Sequence, residues 1–355
     1  MSIKLLNKGG YSNLKKILIT GGAGFLGINL YNFLKSKGYQ VVLLDIEDRM
    51  RRLRNSKFDG ELIKCNLGVD PFVCPKDIDV VIHLAAWPHV DYSYYEPKRT
   101  LKNNINSLID ILESIKNTDT SVILASSVEV YSSDHEMEFT EEYIPKPVSP
   151  YGISKTSCES ILENYNRCYG IPYKIFRLTN LFGAYQLPDR IIPRTISRFL
   201  NDLPIEVDDS YWRDFLYVDD ACSAIEKLIN SSKYSELYNI STGVNTSIVD
   251  IAKLISETIG YGEVVVNEKS LAGKQRYNKL MINNKKIITD LNWEPKISLP
   301  EGIKKTIDWY STNSEWYKQF EKSYSSSRKN KNFIIDCYYQ IIKNIIRDID
   351  EELIR

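Results

Sequence analysis

The stretch Thr20-Gly21-Gly22-Ala23-Gly24-Phe25-Leu26-Gly27 follows a short β-branched run, Ile17–Thr20. It opens a segment with helical spacing, Phe25–Ser36, that stops at Lys37-Gly38. Glycines at 21, 24 and 27 permit a tight turn, let backbone approach a pyrophosphate and pack the helix on the strand. The helix start then offers free N–H groups and a positive dipole end to that phosphate. A glycine motif alone is a weak signal, and the strand before it and helix after it are what give it meaning. Asp45 ends the next strand, Val41–Asp45. A carboxylate there can accept hydrogen bonds from adenosine ribose hydroxyls and repels a 2′-phosphate, which predicts NAD rather than NADP. The arginines at 49, 51, 52 and 54 could soften that preference. The competing reading is a turn that binds nothing, with Asp45 as a loop cap.

Outward from this turn, short apolar runs at Asp79–Leu84, Ser121–Ala125 and Tyr173–Arg177 alternate with helical spacing at Leu101–Lys116 and Tyr151–Tyr169. Such alternation predicts an α/β fold, a doubly wound parallel sheet of Rossmann type, with strands buried on both faces. After Asn180 the pattern is broken by Pro188, Pro193 and Pro204 and reads as a smaller mixed α/β lobe. The expected organisation is residues 1–180, with parts of 213–245, as the dinucleotide-binding domain and 181–312 as a substrate-binding lobe. Residues 313–355 read as a polar linker and an amphipathic helix over Phe333–Arg355, with Ile334, Tyr338, Ile341, Ile345, Ile349 and Leu353 at three- and four-residue steps.

The 355 residues carry 46 basic and 46 acidic side chains, so no bulk field draws the chain to nucleic acid or an anionic membrane. No apolar run approaches the roughly 18 residues that cross a bilayer, and the N-terminus lacks a signal-peptide core. The six cysteines, 65, 74, 158, 168, 222 and 337, are scattered, and His83, His89 and His135 stand far apart. These features predict no metal site, no disulfide framework and a cytoplasmic setting.

A second constellation is Tyr151-Gly152-Ile153-Ser154-Lys155, after Ser149-Pro150. Tyr and Lys at i and i+4 share one helix face. An ammonium beside a phenol favours the phenolate, and a positively charged nicotinamide acts in the same direction. Tyr151 could then remove a proton from a sugar hydroxyl at neutral pH, with Ser127 orienting the same oxygen. A surface Tyr–Lys pair is the plain alternative.

Together with HLAA at 83–86, SSVEVYS at 126–132, RLTNLFG at 177–183, RDFLYVDD at 213–220 and NISTG at 239–243, these motifs make the chain resemble the extended short-chain dehydrogenase/reductases. Within them it is similar to the NAD-dependent nucleotide-sugar epimerase/dehydratase family, over roughly residues 15–310. The resemblance implies that Gly21, Gly24, Phe25, Leu26, Gly27, Asp45, Ile46, Asn66, Leu67, Leu84, Ala85 and Ala86 serve NAD, with Tyr151 and Lys155, and that Asn104 serves the cofactor site by bracing the loop nearby. It implies Ser127, Tyr151, Lys155 and Glu129 as the catalytic set. Asn180, Arg213 and Arg276 would grip the substrate's nucleotide diphosphate, and His89 would face the sugar. Arginine suits the diphosphate because its donors are forked and permanently charged. A solvated surface arginine, or a His89 turned to solvent, is the other reading at each place.

The resemblance also frames the reaction. Tyr would take a proton from a sugar hydroxyl, usually at C4, while hydride passes to NAD. The fate of the 4-ketose separates epimerases, 4,6-dehydratases, uronate decarboxylases and dehydrogenases. The dehydratases typically carry Asp-Glu where this chain has Val128-Glu129, and valine cannot donate a proton. That favours an epimerase, although many 4-epimerases lack a carboxylate at 129. The loop Trp87-Pro88-His89-Val90-Asp91-Tyr92-Ser93 resembles that of UDP-hexose and UDP-uronate epimerases in outline. Ser132 and Ser107-Leu108 depart from the usual Gly and Gly-Thr. The resemblance further implies a homodimer built on helices 101–116 and 151–169. A Rossmann protein that binds NAD without turnover would be expected to have lost Tyr151 or Lys155.

Overall fold

Successive residues of the first strand face opposite sides: Ile17 and Ile19 join one apolar cluster, Leu18 the other, and all three are fully buried. The computed structural model describes residues 15–53, 56, 58–131, 138–209, 211–267 and 279–318. Its strands are β1 Lys16–Thr20, β2 Gln40–Asp45, β3 Glu61–Lys64, β4 Val80–His83, β5 Ser121–Ser127, β6 Tyr173–Leu178, β7 Asn180–Phe182, β8 Ile205–Asp208, β9 Trp212–Tyr217, β10 Glu236–Ile240, β11 Asn245–Ser247, β12 Val264–Asn267 and β13 Lys279–Leu280. The helices are α1 Phe25–Ser36, α2 Glu47–Met50, α3 Val90–Tyr95, α4 Pro97–Ile115, α5 Pro150–Tyr169, α6 Ile191–Phe199, α7 Val218–Asn230, α8 Ile248–Ile259, α9 Lys285–Leu291, α10 Leu299–Thr312 and α11 Ser314–Lys318.

Seven strands form one parallel sheet in the order β10-β6-β5-β4-β1-β2-β3. Leu30 and Leu34 of α1 and Ala221, Ala224 and Ile225 of α7 cover one face. Leu108, Ile111, Leu112 and Ile115 of α4 and Cys158 and Leu162 of α5 cover the other. The result is the expected Rossmann-type three-layer α/β fold. From β1 the chain moves outward through β2 and β3, then crosses to β4 on the other side, so strand order reverses between β1 and β4. Ligands of such sheets bind outside the carboxyl ends of the strands at that reversal.

A smaller sheet centres on β9, which pairs antiparallel with β11 and parallel with β13 and β7, while β8 pairs parallel with β12. β3 and β10 have no counterpart among the strands expected from periodicity. β3 is a four-residue edge strand with Glu61 and Lys64 exposed, so it lacks a continuous apolar run. α4 begins earlier than its apolar spacing indicates because Pro97 takes the first helical position, where its fixed φ is favourable.

No helix among the described residues is long and apolar enough to cross a membrane. The amphipathic helix expected over 333–355 lies outside the described residues, as do Arg54, Ser132, His135, Arg276 and Cys337. The first residues after 312 do not behave as a linker. In α11, Trp316 and Tyr317 are 3% and 1% exposed. Trp316 packs edge-on against Trp309 at 5.3 Å and Tyr185 at 5.6 Å, and its Nε1 donates to the Arg52 carbonyl at 3.1 Å. Two aromatic side chains therefore tie this polar stretch to the body. Replacing Trp316 with Ala is expected to destabilise the fold by about 3–5 kcal/mol, read as a lower midpoint in denaturant unfolding.

Candidate active site

The carboxyl ends of β1, β2, β4 and β5 open into a cleft of about 1070 Å³. Its floor is the turn after β1. Gly21 has φ +68, and a Cβ there would stand 2.9 Å from the Ala85 backbone after β4. At Gly27 a Cβ would come within 2.6 Å of the Gly21 carbonyl. Only glycine allows turn, helix and neighbouring loop to approach this closely. Gly24 caps α1 without a side-chain hydrogen bond, and the first turn holds no acid. This leaves the helix end with the electrostatic character an anion needs.

Asp45 is 6% exposed at the end of β2. One carboxylate oxygen accepts from Ala23 N at 2.9 Å and the other from Ile46 N at 2.8 Å. It therefore braces the glycine turn while lining the cleft. Burial raises its pKa, and the two backbone donors together with Arg49 and Arg52 oppose that rise. A dinucleotide fits these residues: a tight backbone cradle, an uncapped helix end and a buried carboxylate along the same wall.

Gly21, Gly24, Phe25, Leu26, Gly27, Asp45, Ile46, Asn66, Leu67, Leu84, Ala85 and Ala86 all line the cleft. Asn104 does not line the cleft itself. It is 1% exposed behind the wall, where its Oδ1 accepts from Trp87 N at 2.7 Å and its Nδ2 donates to Ser154 at 2.9 Å. It thus fastens the loop after β4 to α5. His83, at the end of β4, meets Thr20 Oγ1 at 2.9 Å, and burial pushes its pKa down to about 3, so it is neutral.

Ser127, Glu129, Tyr151 and Lys155 converge on the same cleft. Ser149 caps α5 by accepting from Gly152 N at 3.0 Å, with Pro150 at its start, so the capped turn carries Tyr151 to the wall. Tyr151 is 8% exposed, and the Ser127 hydroxyl favours its phenolate. Lys155 Nζ donates to the Ala125 carbonyl at 2.8 Å and lies 5.9 Å from the Tyr151 ring centre. In the chain alone, burial pushes the Tyr151 phenol up to about 12, against the expected depression, and Ser127 only partly offsets it. Burial also lowers the pKa of Lys155. Val128, 5% exposed, packs with Val130, Tyr131, Phe139 and Ile282 while also lining the cleft.

Beneath this set lies a buried network that sequence reading missed. Arg177 Nε and Nη2 donate to the two Glu159 oxygens at 2.9 and 2.6 Å, and Ser126 Oγ donates to the same carboxylate. Arg177 Nη1 donates to Tyr131 at 2.8 Å, and the Tyr131 hydroxyl donates to Asn239 Oδ1 at 2.9 Å. β5, α5, β6 and β10 are thereby linked around the start of the loop that bears Ser127 and Glu129.

On the far side, β7 and β9 pair side by side and bring Asn180 and Arg213 to the cleft. Asn180 Nδ2 donates to the Asp214 carbonyl at 3.3 Å, and Arg213 stands 5.6 Å from the Tyr211 ring. His89 also lines the cleft, with Nε2 3.4 Å from Asp189, while Arg190 Nη2 donates to the Pro88 carbonyl at 2.8 Å. Partial desolvation, Arg190, Arg49 and Arg52 lower the His89 pKa, although 44% of its side chain is open to solvent. Arg190 and Asp189 were not singled out in the sequence, where no periodicity marks them. Among the described residues no cluster of His, Cys, Asp or Glu could hold a metal ion.

Residues 17–241 match the model of the NAD dependent epimerase/dehydratase family. A putative UDP-glucose 4-epimerase of Methanocaldococcus jannaschii is 32% identical over 308 residues, which are 84% of this chain and 99% of that protein. A trifunctional UDP-glucose 4,6-dehydratase/UDP-4-keto-6-deoxy-D-glucose 3,5-epimerase/UDP-4-keto-L-rhamnose-reductase of Arabidopsis thaliana is 31% identical over 325 residues. The match takes in 85% of this chain and 48% of the plant protein, so the chain spans about half the length of that relative. The crystal structure of UDP-glucose 4-epimerase with UDP-glucose from Thermotoga maritima aligns with a TM-score of 0.75 and 29% identity, over 84% of this chain and 99% of that one. Family model, relatives and fold agree, and this chain belongs to the NAD-dependent epimerase/dehydratase family of enzymes.

Proposed function

We propose that the chain epimerises a nucleotide sugar, at C4 of a UDP-hexose or a related sugar, through a transient 4-keto intermediate. The observation that carries this is Val128. It stands beside Ser127 on the cleft wall, where a dehydratase needs a proton donor to expel the C6 hydroxyl, and it is apolar and 5% exposed. The Thermotoga protein, named as a UDP-glucose 4-epimerase, and the Methanocaldococcus protein, named as a putative one, support the same reading. Glu129 on the cleft wall and the 4,6-dehydratase named in the Arabidopsis relative favour a second reading, 4,6-dehydration.

In the proposed reaction Tyr151 takes the proton from the sugar O4, and Ser127 holds that oxygen. Bound NAD would supply the reversible hydride acceptor for C4. Lys155, fixed by the Ala125 carbonyl, keeps a positive charge near the phenol, and the positive nicotinamide would add to it, so that ionisation becomes easier than in the chain alone. Asn180 and Arg213, with Arg276 outside the described residues, bind the substrate diphosphate. Turning of the sugar while the diphosphate stays held would present its opposite face to the cofactor, and Tyr151 would return the proton to O4. The same reading includes a homodimer through α4 and α5. Ile153 and Tyr169 of α5 are 44% and 51% exposed, and sedimentation should show a species of twice the chain mass.

Incubation with UDP-, dTDP-, GDP- and CDP-sugars plus NAD is expected to give a product of unchanged mass and shifted retention. Loss of water would instead establish dehydration. Tyr151→Phe should lower kcat by between about a hundredfold and ten-thousandfold with NAD binding retained. Glu129→Gln should spare epimerisation and would abolish a dehydration. The pH dependence has a defined sign. Tyr151 must be ionised to act, so kcat rises with pH through its apparent pKa. Removing the Lys155 charge disfavours the phenolate, so Lys155→Met should move that limb to higher pH by about one to three pH units at saturating NAD. In the NAD-free chain, ultraviolet titration of wild type against Tyr151→Phe should show the phenolate only as pH approaches about 12.

A further inference from the structure

Asp214 is a buried carboxylate that the reaction outlined above does not use. It lies on β9 between Arg213 and Phe215, which both line the cleft. Side chains alternate along a strand, so Asp214 points away from the cleft, where it is fully buried. Its oxygens are met by the turn between β10 and β11. Oδ2 accepts from Thr242 N at 3.0 Å and Gly243 N at 2.9 Å, and Oδ1 accepts from the Thr242 hydroxyl at 2.6 Å. A carboxylate is costly to bury unless its lone pairs are filled, and here one turn fills them. Without the acceptor, the Thr242 and Gly243 N–H groups would lose their match in turn.

The backbone carbonyl of the same residue holds the link between β6 and β7. It accepts from Thr179 Oγ1 at 2.9 Å and from Asn180 Nδ2 at 3.3 Å. Thr179 N donates to the Ile240 carbonyl, at the end of β10, at 3.2 Å. Three chain segments therefore meet at Asp214. An amide nitrogen carries two N–H donors, so placing one on the Asp214 carbonyl orients the Asn180 amide without using it up. Asn180 stands opposite Phe215 in the β7–β9 register, which puts it beside Arg213 on the cleft wall. A shift of Asp214 would move both groups at once.

We propose that Asp214 is a positioning residue for the substrate diphosphate: its carboxylate fastens the Thr242–Gly243 turn to β9, and its carbonyl sets Asn180 beside Arg213. It touches no ligand itself. This rests on Asn180 and Arg213 binding the diphosphate as described under the proposed function. The arrangement also makes substrate affinity depend on pH. Burial raises the Asp214 pKa to about 6 against the opposing pull of the Thr242 hydroxyl and the two N–H donors, all of them uncharged. Protonation takes an acceptor away from the turn, so affinity falls as pH drops through that value.

The test is titration calorimetry on full-length Tyr151→Phe protein, chosen to block turnover, with UDP-, dTDP-, GDP- and CDP-glucose as probes and NADH as control. Adding Asp214→Asn is expected to weaken the best-bound probe about tenfold and to leave NADH unchanged. Thr242→Ala, which removes one of the three donors, should weaken it about threefold. Between about pH 8 and about pH 5 the affinity of the parent should fall with a midpoint near 6, and the Asn variant should be flat. Unchanged probe affinity in both variants would overturn the positioning role, as would a parent without pH response or a response that persists in the Asn variant. An equal loss of NADH affinity would show a general structural role and overturn it too. If Asp214→Asn does not fold, Thr242→Ala and the pH response of the parent decide. Arg213→Ala with undiminished probe affinity would overturn the diphosphate reading and the positioning with it. A parent that binds none of the four probes would overturn the nucleotide-sugar reading itself.

Discussion

Where Gly21 meets Ala85, two backbones touch with no side chain between them. That contact sets the distance between the turn after β1 and the loop after β4, which are the two walls of the cleft at the reversal of strand order. Asp45 extends the constraint to a third strand by accepting from Ala23 N and Ile46 N. The floor of the site is thus built from main chain and one carboxylate. Its shape owes little to flexible side chains, as suits a site whose ligand must present one atom accurately to another.

The catalytic wall is held by a different kind of force. The Glu159–Arg177 pair is almost fully enclosed, with side-chain exposures of 5% and 3%. Enclosed ions are stable only when their remaining donors and acceptors are matched, and Ser126 and Tyr131 supply those matches, with Asn239 holding the Tyr131 hydroxyl in turn. Breaking such a pair typically costs about 3–5 kcal/mol, so the network resists displacement of the segment that bears Ser127 and Glu129. Burial that rigidifies this wall also keeps the Tyr151 phenol protonated in the chain alone. Ionisation there depends on charge brought close to it.

What could be read beforehand follows physical lines. The glycine turn, Asp45, Tyr151 and Lys155 were legible because each obeys a local rule of spacing within one strand–turn–helix unit. β3 was hidden, since a short edge strand with exposed Glu61 and Lys64 carries no apolar run. Asn104 was expected to brace the loop beside the cofactor, and the partners it uses, Trp87 and Ser154, depend on packing between α4 and the next elements, which no local pattern encodes. The Glu159–Arg177 network was invisible for the same reason, as its members come from separate elements. Trp316 and Tyr317 sit in a polar sequence, and only the aromatic cluster around Trp309 reveals why they are buried.

β10 pairs in parallel with β6 as the outermost strand of the main sheet, yet β7, β8 and β9 are made between them. During synthesis β6 is therefore complete well before the strand that covers its edge. At ribosomal rates that interval is roughly several seconds, long compared with hairpin or helix formation. Over that time the growing chain presents an open row of unpaired backbone groups beside Ile175 and Phe176, the kind of edge that recruits other chains. Newly made copies on one messenger are thus most exposed to mispairing after β6 has left the ribosome and before β10 has followed it.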